Sequence, residues 1–233
     1  MAEKIPLVLL PGLLCDAALW APQVAALADI ADPWVADLSR DESLPGMARR
    51  VLAAAPARFA LAGLSMGGYL AQEIMRRSPQ RVMRLALLDT SARADTPERA
   101  AQRRGFIELA QKGEFKRIQP RMLPVYLHPD HLQDKAITDA VLAMAERVGK
   151  DAYLRQQQAI MNRPDGREDL RRIAVPTLAL CGRDDQATPY EHNAEIGHLI
   201  PGATFIAIER CGHLSTMEKP AEVNGAMRRW LTA

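Results

Sequence analysis

The chain has 233 residues, of which 48% are hydrophobic, and its 30 Lys and Arg nearly balance its 28 Asp and Glu. This length and composition favour one large α/β domain with a substantial core, and a net charge of only +2 argues against a nucleic-acid partner. No stretch approaches the ~20 consecutive apolar residues that span a membrane, and the apolar run at Ile5–Leu10 lacks the cleavage pattern of a signal peptide.

Nearly continuous apolar runs alternate with helix-like segments along most of the chain. Six runs are predicted to be strands covered on both faces: Ile5–Leu10, Trp34–Leu38, Phe59–Leu64, Val82–Leu88, Thr177–Cys181 and Thr204–Ile208. Helices are predicted between and after them: Ala17–Ala28, Leu44–Ala55, Met66–Arg77, Tyr190–Leu199 and Ala221–Leu231. This order predicts an α/β fold with a doubly wound, mostly parallel sheet of about six strands.

The alternation stops once, between Asp89 and Val175, where no convincing strand occurs. Three stretches there are helix-like: Pro97–Lys112, Leu132–Val148 and Ala152–Met161. Because the segment is too long for a loop, it is predicted to be a helical insertion lying over the sheet. The predicted domains are a core of residues 1–90 and 172–233 and a helical insertion of residues 91–171.

The strongest functional signal is the sequence Gly63-Leu64-Ser65-Met66-Gly67-Gly68, where a buried-strand pattern ends and a helical pattern begins. A Gly-x-Ser-x-Gly motif in this context is typical of a nucleophile elbow, a tight strand-to-helix turn that exposes the serine hydroxyl. Small neighbours are needed because the backbone is strained there and adjacent elements crowd it. Ser65 is therefore the predicted nucleophile.

A serine nucleophile needs an adjacent base, usually an imidazole that a carboxylate orients. Of the five histidines, only His213 follows a buried strand and a glycine, at the edge of the sheet where catalytic loops gather. The others are expected on the surface: His128 and His131 in a turn of the insertion, His192 and His198 on a polar helix. His213 is therefore the predicted base.

Two adjacent carboxylates compete for the role of the orienting acid. The Gly-x-x-Asp-x-x-x-Pro spacing of the segment from Gly182 to Pro189 favours Asp185 and leaves Asp184 as an exposed or capping residue. Asp89, at the end of the fourth predicted strand, is the weaker alternative, because it is equally well explained as a turn acid leading into the insertion. The resulting order of serine, aspartate and histidine along the chain is the order that accompanies this type of elbow.

The oxyanion formed by nucleophilic attack needs two preorganised N–H donors. The amide of Met66 is one candidate, because it opens the helix after the nucleophile, where the helix dipole favours negative charge. The amide of Leu13, in the loop after the first strand, is the other. Gly12 is expected to let this loop turn sharply, and Gly12, Leu14 and Tyr126 are the predicted substrate-binding residues.

The insertion is expected to set the substrate specificity. Its apolar residues, Tyr126 among them, either line an acyl pocket or fix the insertion to the sheet. Between Pro97 and Arg121 it has seven basic and three acidic residues, an excess of four (7 − 3). This excess indicates either a solvated helix face with i,i+4 ion pairs or a dock for an acidic carrier protein or an acidic substrate.

The three cysteines, Cys15, Cys181 and Cys211, form neither an even disulfide framework nor a metal-binding spacing. They are expected to be buried, reduced thiols, which favours a cytoplasmic location. The predicted chemistry requires no metal and no cofactor.

These motifs resemble the α/β-hydrolase superfamily, and in particular its small, capped, esterase-like members. The resemblance covers essentially the whole chain and rests on four motifs: Pro11-Gly12, Gly63 to Gly68, Gly182 to Asp185 with Pro189, and Cys211-Gly212-His213 followed by Glu218-Lys219-Pro220. It implies a Ser65, His213 and Asp185 triad, with Leu13 and Met66 as oxyanion donors. It also implies a core without the first two strands usual in the family, and many members have His-Gly where this chain has Pro-Gly.

The sequence therefore predicts a serine hydrolase that cleaves a small-molecule carboxylic ester through an acyl-enzyme. Serine at position 65 argues against the dehalogenases of the superfamily, which use aspartate there. Thioesterases, hydrolases of acyl-carrier-protein esters and carbon–carbon hydrolases share the serine triad and remain alternatives. An alternative of a different class is a ligand receptor that keeps the triad without turnover.

Overall fold

The computed structural model describes residues 4–233, so that residues 1–3 of the predicted core lie outside the described part. Six strands form one sheet in the order β2-β1-β3-β4-β5-β6, and all neighbouring pairs are parallel. The strands are β1 (Ile5–Leu10), β2 (Ala31–Val35), β3 (Phe59–Leu64), β4 (Val82–Leu88), β5 (Thr177–Gly182) and β6 (Thr204–Ile208). The prediction of a six-stranded, doubly wound α/β fold is confirmed.

Helices connect the strands and cover both faces of the sheet. In the described part of the chain the α-helices are α1 (Ala21–Leu27), α2 (Leu44–Ala54), α3 (Met66–Arg77), α4 (Pro97–Leu109), α5 (Ile118–Tyr126), α6 (Lys135–Met161), α7 (Arg167–Leu170), α8 (Tyr190–Leu199), α9 (Ser215–Glu218) and α10 (Pro220–Thr232). Helices α3 and α8 have the predicted bounds; α2 ends one residue earlier than predicted, and α10 is one residue longer at each end. Single 3₁₀ turns precede α1, β4, α5 and α6.

The second strand lies three residues earlier than predicted, at Ala31–Val35 instead of Trp34–Leu38. Its register with β1 places Pro33 opposite Leu7. A proline is accommodated there because β2 is the edge strand. Its outer side pairs with no other strand, so no strand loses a hydrogen bond when the N–H is missing. The prediction is wrong because Pro33 interrupts the strand pattern and moves the apparent start to the residues after it.

The sheet is buried on both faces, which explains why its strands are almost continuously apolar. All six residues of β3 are buried. One layer of the core lies between the sheet and helices α2, α3 and α8, and includes Leu61, Ile74 and Ile196. The other lies between the sheet and helices α1 and α10, with Trp20 and Met227 fully buried. The carboxyl ends of β3, β5 and β6 consequently open at one edge of a rigid platform.

The segment between β4 and β5 contains no strand and holds α4, α5, α6 and α7. The predicted break between Leu132–Val148 and Ala152–Met161 occurs within α6, because the backbone leaves the helical conformation at Gly149, whose φ is +80°. Glycine suits this position because the left-handed region is costly for residues with a Cβ. Helix α5 was not predicted, since Pro124 interrupts its pattern. Within residues 4–233 no helix combines the length and the apolar character needed to cross a membrane.

Candidate active site

Ser65 lies in the turn between β3 and α3 with φ +56° and ψ −115°. A positive φ is uncommon for a residue with a Cβ, and such strain costs about 1–3 kcal/mol. The surrounding structure holds the conformation: Ser65 N donates a hydrogen bond to Leu88 O at 3.0 Å, and Thr90 Oγ1 donates to Ser65 O at 2.8 Å. The predicted nucleophile therefore occupies a strained, tightly held elbow.

The glycines of the motif are required by close approach of backbone rather than by their own dihedral angles. A Cβ on Gly63 would lie 2.2 Å from Gly67 O, and a Cβ on Gly67 would lie 2.1 Å from Leu10 O. Neither glycine has a positive φ. Any larger residue at either position would push helix α3 away from β1 and β3.

His213 and Asp185 meet at the carboxyl ends of β5 and β6. His213 Nδ1 lies 2.8 Å from Asp185 Oδ2, and both side chains are buried. Asp185 Oδ1 accepts hydrogen bonds from the backbone amides of Ala187 at 2.8 Å and Thr188 at 2.9 Å. Because a carboxylate only accepts, Nδ1 carries the proton and Nε2 is left as an acceptor. The neighbouring Asp184 side chain is 46% exposed and does not contact His213.

Two further glycines fix the loop that carries His213. A Cβ on Gly182 would lie 2.0 Å from Gly212 O, and a Cβ on Gly212 would lie 2.7 Å from His128 N. The amide of His213 donates to Tyr126 O at 2.8 Å. The imidazole is consequently held between the sheet and the end of helix α5.

A cavity of about 310 Å³ lies between the sheet edge and the segment that holds α4 to α6. Its walls include all of the predicted substrate-binding residues and both Ser65 and His213. Among residues 4–233 the Ser65 hydroxyl and the His213 imidazole make no direct hydrogen bond to each other. Ser65, His213 and Asp185 thus lie at one site. His213 is hydrogen-bonded to Asp185 but not to the hydroxyl of Ser65.

The two predicted oxyanion donors have free amides. Within the described residues, neither Leu13 N nor Met66 N donates a hydrogen bond to another protein group. The amide of Leu14 differs, because it donates to Gln156 Oε1 at 3.0 Å. Leu13 and Leu14 line the cavity, whereas the Met66 side chain is buried beneath it.

The turn after β1 is formed differently from the prediction. Leu14, not Gly12, takes the left-handed conformation, with φ +57°. A Cβ on Gly12 would make only ordinary contacts of 3.5 Å or more. The prediction that Gly12 provides the sharp turn is therefore wrong, although Gly12 lies in the cavity wall as predicted.

The pKa of His213 is raised above its ordinary value of 6.5. Burial is the largest single influence and lowers the pKa, but the charge and hydrogen bond of Asp185 outweigh it, assisted by the charges of Asp89 and Glu218. A base with a raised pKa binds its proton more strongly. The imidazole is thereby suited to accept a proton during a reaction, and it is ready as a base only when the pH is high enough to keep it neutral.

Asp89 is not the turn acid that the sequence suggests. It is fully buried at the end of β4, where its carboxyl group accepts hydrogen bonds from Gly182 N at 2.9 Å and from the Ser215 hydroxyl. Burial and the nearby charge of Asp185 raise its pKa well above the usual range. Asp89 therefore connects β4, β5 and the start of α9, while Asp185 is the acid bound to the imidazole.

The expectation of surface positions is wrong for three of the other histidines. The side chains of His128 and His131 are only 15% and 16% exposed. His131 Nδ1 lies 2.8 Å from Glu218 Oε2, which also accepts from His128 N at 2.7 Å. His192 is partly buried, and burial lowers its pKa. None of the three is bonded to Asp185, so His213 remains the candidate base.

The cysteines are not candidates for nucleophilic chemistry. None of the three forms a disulfide. Burial, with the charge of Asp16, raises the pKa of Cys15 to about 12, and burial raises the pKa of Cys181 and of Cys211 as well. A thiol with a raised pKa has little reactive thiolate at neutral pH. Within residues 4–233 no group of three His, Cys, Asp or Glu side chains is placed to hold a metal ion.

The structure separates the basic residues of the 97–121 segment into two groups. Arg99 and Arg103 line the cavity, while the other five are exposed: Arg104, Lys112, Lys116, Arg117 and Arg121. The sequence interpretation treated all seven as one group and missed the inward-facing pair. A usable signal was present, since Arg99, Arg103 and Phe106 recur at i, i+4 and i+7, on one face of a helix.

Comparison with known proteins gives one consistent result. The sequence profile described as the Alpha/beta hydrolase family matches residues 7–226. A putative carbamate hydrolase (RutD) of Yersinia enterocolitica is 26% identical over 216 residues, which are 90% of this chain and 71% of the relative. A pimeloyl-[acyl-carrier protein] methyl ester esterase of Vibrio campbellii is 26% identical over 240 residues, 91% of this chain and 88% of the relative. Among solved structures, a thermophilic esterase from Thermogutta terrifontis superimposes with a TM-score of 0.88 at 26% identity, covering 99% of this chain and 90% of its own.

Proposed function

The chain belongs to the alpha/beta hydrolase family and is an enzyme of that family, and on this premise we propose that it cleaves a carboxylic ester through an acyl-enzyme on Ser65. One observation carries the proposal. Ser65, in its strained turn, lines the same cavity as His213, and Nδ1 of His213 is hydrogen-bonded to the buried Asp185. A serine, a base and an orienting acid in this relation form the apparatus of serine acyl transfer.

In the proposed reaction the Ser65 hydroxyl attacks the ester carbonyl and gives its proton to His213 Nε2. The carboxylate of Asp185 keeps the Nδ1 proton in place and stabilises the imidazolium. The amides of Leu13 and Met66 stabilise the oxyanion of the tetrahedral intermediate. The imidazolium then protonates the departing alcohol, and the acyl group remains on Ser65.

Water completes the cycle by the same route. His213 takes a proton from water, the hydroxide attacks the acyl-enzyme, and the proton returns to Ser65 as the carboxylic acid leaves. Catalytic hydrogen bonds often tighten only when the substrate is bound. The contact between Ser65 and His213 is therefore expected to close when an ester is bound.

The helical insertion of residues 91–171 is proposed to act as a cap over this site. Arg99, Phe106, Met122 and Tyr126 from the insertion line the cavity opposite Ser65. Tyr126 also stacks on the imidazole of His213, with ring centroids 5.8 Å apart. A wall built from inserted side chains is suited to select substrates without altering the catalytic groups.

A carrier-bound ester is a second candidate substrate, favoured by the exposed basic residues of the insertion. Arg104, Lys112 and Arg121 have no ion-pair partner within the described residues, whereas Arg117 is paired with Glu114. Unpaired positive charge on one face attracts an acidic partner. Faster hydrolysis of an acyl-carrier-protein ester than of the corresponding free ester, with a strong dependence on salt, would support this candidate.

The central test of the proposed function is Ser65→Ala, assayed with short-chain p-nitrophenyl esters and with a fluorophosphonate probe. We expect turnover to fall by about 10³-fold or more, because the members of a triad act as a unit, and labelling to disappear. Ser78→Ala is the matched control, since Ser78 follows the same helix at its other end and its side chain makes no capping hydrogen bond to the next turn. Retained activity in Ser65→Ala would falsify the proposal, and labelling of the wild type without turnover would indicate a receptor.

A further inference from the structure

We infer that the cavity contains an anion subsite formed by Arg99 and Arg103, and that the preferred ester substrate has a free carboxylate away from the scissile bond. This inference rests on the proposed function and deepens it. It assigns the substrate to a chemical class, the monoesters of short dicarboxylic acids. It also gives the two arginines a recognition role that is separate from the chemistry at Ser65.

The charge of the cavity wall is the first observation. Arg99 and Arg103 line the cavity, and no Asp or Glu side chain belongs to its lining within residues 4–233. The two guanidiniums stay charged at neutral pH, and His213 is the only group of the wall that titrates near it. An uncharged ligand would leave the charge of Arg99 without a counter-ion.

The charge behind the wall does not balance these arginines. Asp95, whose side chain is only 1% exposed, lies 2.7 Å from Arg103 Nε and also 2.7 Å from Arg163 Nη2. One buried carboxylate is thus shared between two guanidiniums. Arg99 forms no ion pair among the described residues, and Glu98 beside it is exposed. Arg103 and Arg163 therefore share one carboxylate and Arg99 has none, so that these three arginines exceed their counter-ions by two positive charges (3 − 1).

Both arginines keep hydrogen-bond donors for a ligand. Arg99 uses Nη2, which donates to Ala187 O at 2.9 Å, and its Nε and Nη1 make no hydrogen bond within residues 4–233. Arg103 uses Nε toward Asp95 and Nη1 toward Gln157 Oε1 at 2.9 Å, which leaves Nη2. Each guanidinium is anchored on one side and free on the other. Anchored guanidiniums bind carboxylates well because little side-chain entropy is lost on binding.

The arginines stand close to the catalytic groups without touching them. The Ala187 residue that binds Arg99 through its carbonyl also donates its amide to Asp185. Arg103 lies near Tyr126: burial raises the pKa of this phenol, and the charge of Arg103 partly opposes the rise. Tyr126 in turn stacks on His213. Each arginine is therefore linked to the triad through one intervening residue, in the wall of the cavity that Ser65 also lines.

The size of the cavity limits the substrate to a short one. At about 310 Å³ it lies at the lower end of the range of about 300–1,000 Å³ that small-molecule sites occupy. The rest of the wall is largely apolar, with Leu13, Phe106, Met122 and Val125. A substrate with a few methylene groups between its ester and its carboxylate matches a small cavity whose wall has both apolar residues and two arginines.

A matched pair of esters tests the subsite in the complete enzyme. Monomethyl glutarate and methyl pentanoate have the same chain and differ in whether a carboxylate or a methyl group ends it. We expect the wild type to prefer monomethyl glutarate in kcat/KM by about 10- to 100-fold, since hydrogen bonds to charged groups contribute about 1.5–3 kcal/mol. In Arg99→Gln this preference falls at least about tenfold, mainly through a higher KM for monomethyl glutarate, and the hydrolysis of methyl pentanoate changes much less.

Two further variants separate recognition from folding. Arg103→Gln leaves Asp95 paired with Arg163, so that no buried carboxylate loses its last partner. It is expected to repeat the result of Arg99→Gln, and Arg103→Lys is expected to restore part of the preference. Arg104→Gln is the matched control, because Arg104 is exposed on the same helix outside the cavity, and it is expected to change neither ester.

The outcomes distinguish this inference from the proposed function. If the wild type hydrolyses both esters equally, or if the arginine variants slow both esters to the same extent, the anion subsite is wrong. The proposed esterase function is not affected by either result. If neither ester is hydrolysed, calorimetry with glutarate and pentanoate decides. Glutarate binding that is lost in Arg99→Gln supports the subsite without the esterase, and equal binding of the two acids overturns it.

Discussion

The two sides of the cavity are built on different principles. On the sheet side, Gly63, Gly67, Gly182 and Gly212 allow backbones to approach so closely that no Cβ fits. On the insertion side, Gly105 and Gly113 have open space around them, and the wall consists of side chains from three helices. The sheet side places a few atoms with little freedom, while the insertion side is free to vary in shape and charge. Under the proposed function, this contrast assigns chemistry to the sheet side and recognition to the insertion.

The largest effect is expected from the acid on the sheet side. Asp185→Asn should lower kcat by about 10³- to 10⁴-fold for every ester, because the amide no longer holds His213 in the tautomer with Nε2 free. Asp184→Asn is the control, since Asp184 is exposed and does not contact His213. Steady-state kinetics on charged and uncharged esters check both variants. If kcat fell only for anionic esters, Asp185 would act in substrate recognition. The proposed division between a catalytic sheet side and a recognition side would then be wrong.

A second prediction tests the packing of the two sides through their glycines. Gly67→Ala should destabilise the fold by about 3 kcal/mol, because its Cβ would lie 2.1 Å from Leu10 O. For a chain of this size that corresponds to a fall in Tm of about 6–12 °C. Gly105→Ala, in the open part of α4, should instead stabilise by up to about 1 kcal/mol, the advantage of alanine inside a helix. Thermal unfolding of both variants, followed by circular dichroism, is the measurement, and equal shifts would contradict the prediction.

The smallest effect is the dependence on pH, and its sign follows from the raised pKa of His213. The base works when neutral, so kcat/KM should rise by about tenfold per pH unit below that pKa and level off above it, with a midpoint above the ordinary 6.5. Guanidiniums stay charged in this range, so the midpoint should be the same for monomethyl glutarate and methyl pentanoate. A pH-rate profile with both esters measures it. A midpoint at or below 6.5 would show that burial outweighs Asp185.

The same shift has a consequence for folding. A group whose pKa is raised in the folded state contributes stability below its unfolded pKa, and this contribution disappears as the pH rises through the folded pKa. His213 therefore stabilises the fold on the acid side of 6.5 and no longer does so where it is catalytically ready. The site works best at a pH at which this stabilisation is absent.

The prediction from sequence succeeded where spacing along the chain carries the information. Helix α3 begins at Met66 and β3 ends at Leu64, as predicted, because the glycines of the elbow mark the boundary. It failed where local patterns are ambiguous. Pro33 displaced the second strand, and Pro124 concealed helix α5.

The chain by itself determined the order of strands and helices and the candidate serine, histidine and aspartate, because periodicity and glycine spacing are local properties. Only the tertiary structure decided which neighbours these residues have. It buried Asp89 beside Asp185, and it turned Arg99 and Arg103 inward while Arg104 stayed exposed. Burial, charge balance and the approach of distant side chains depend on how separate segments pack against one another, and a single sequence records that packing only indirectly.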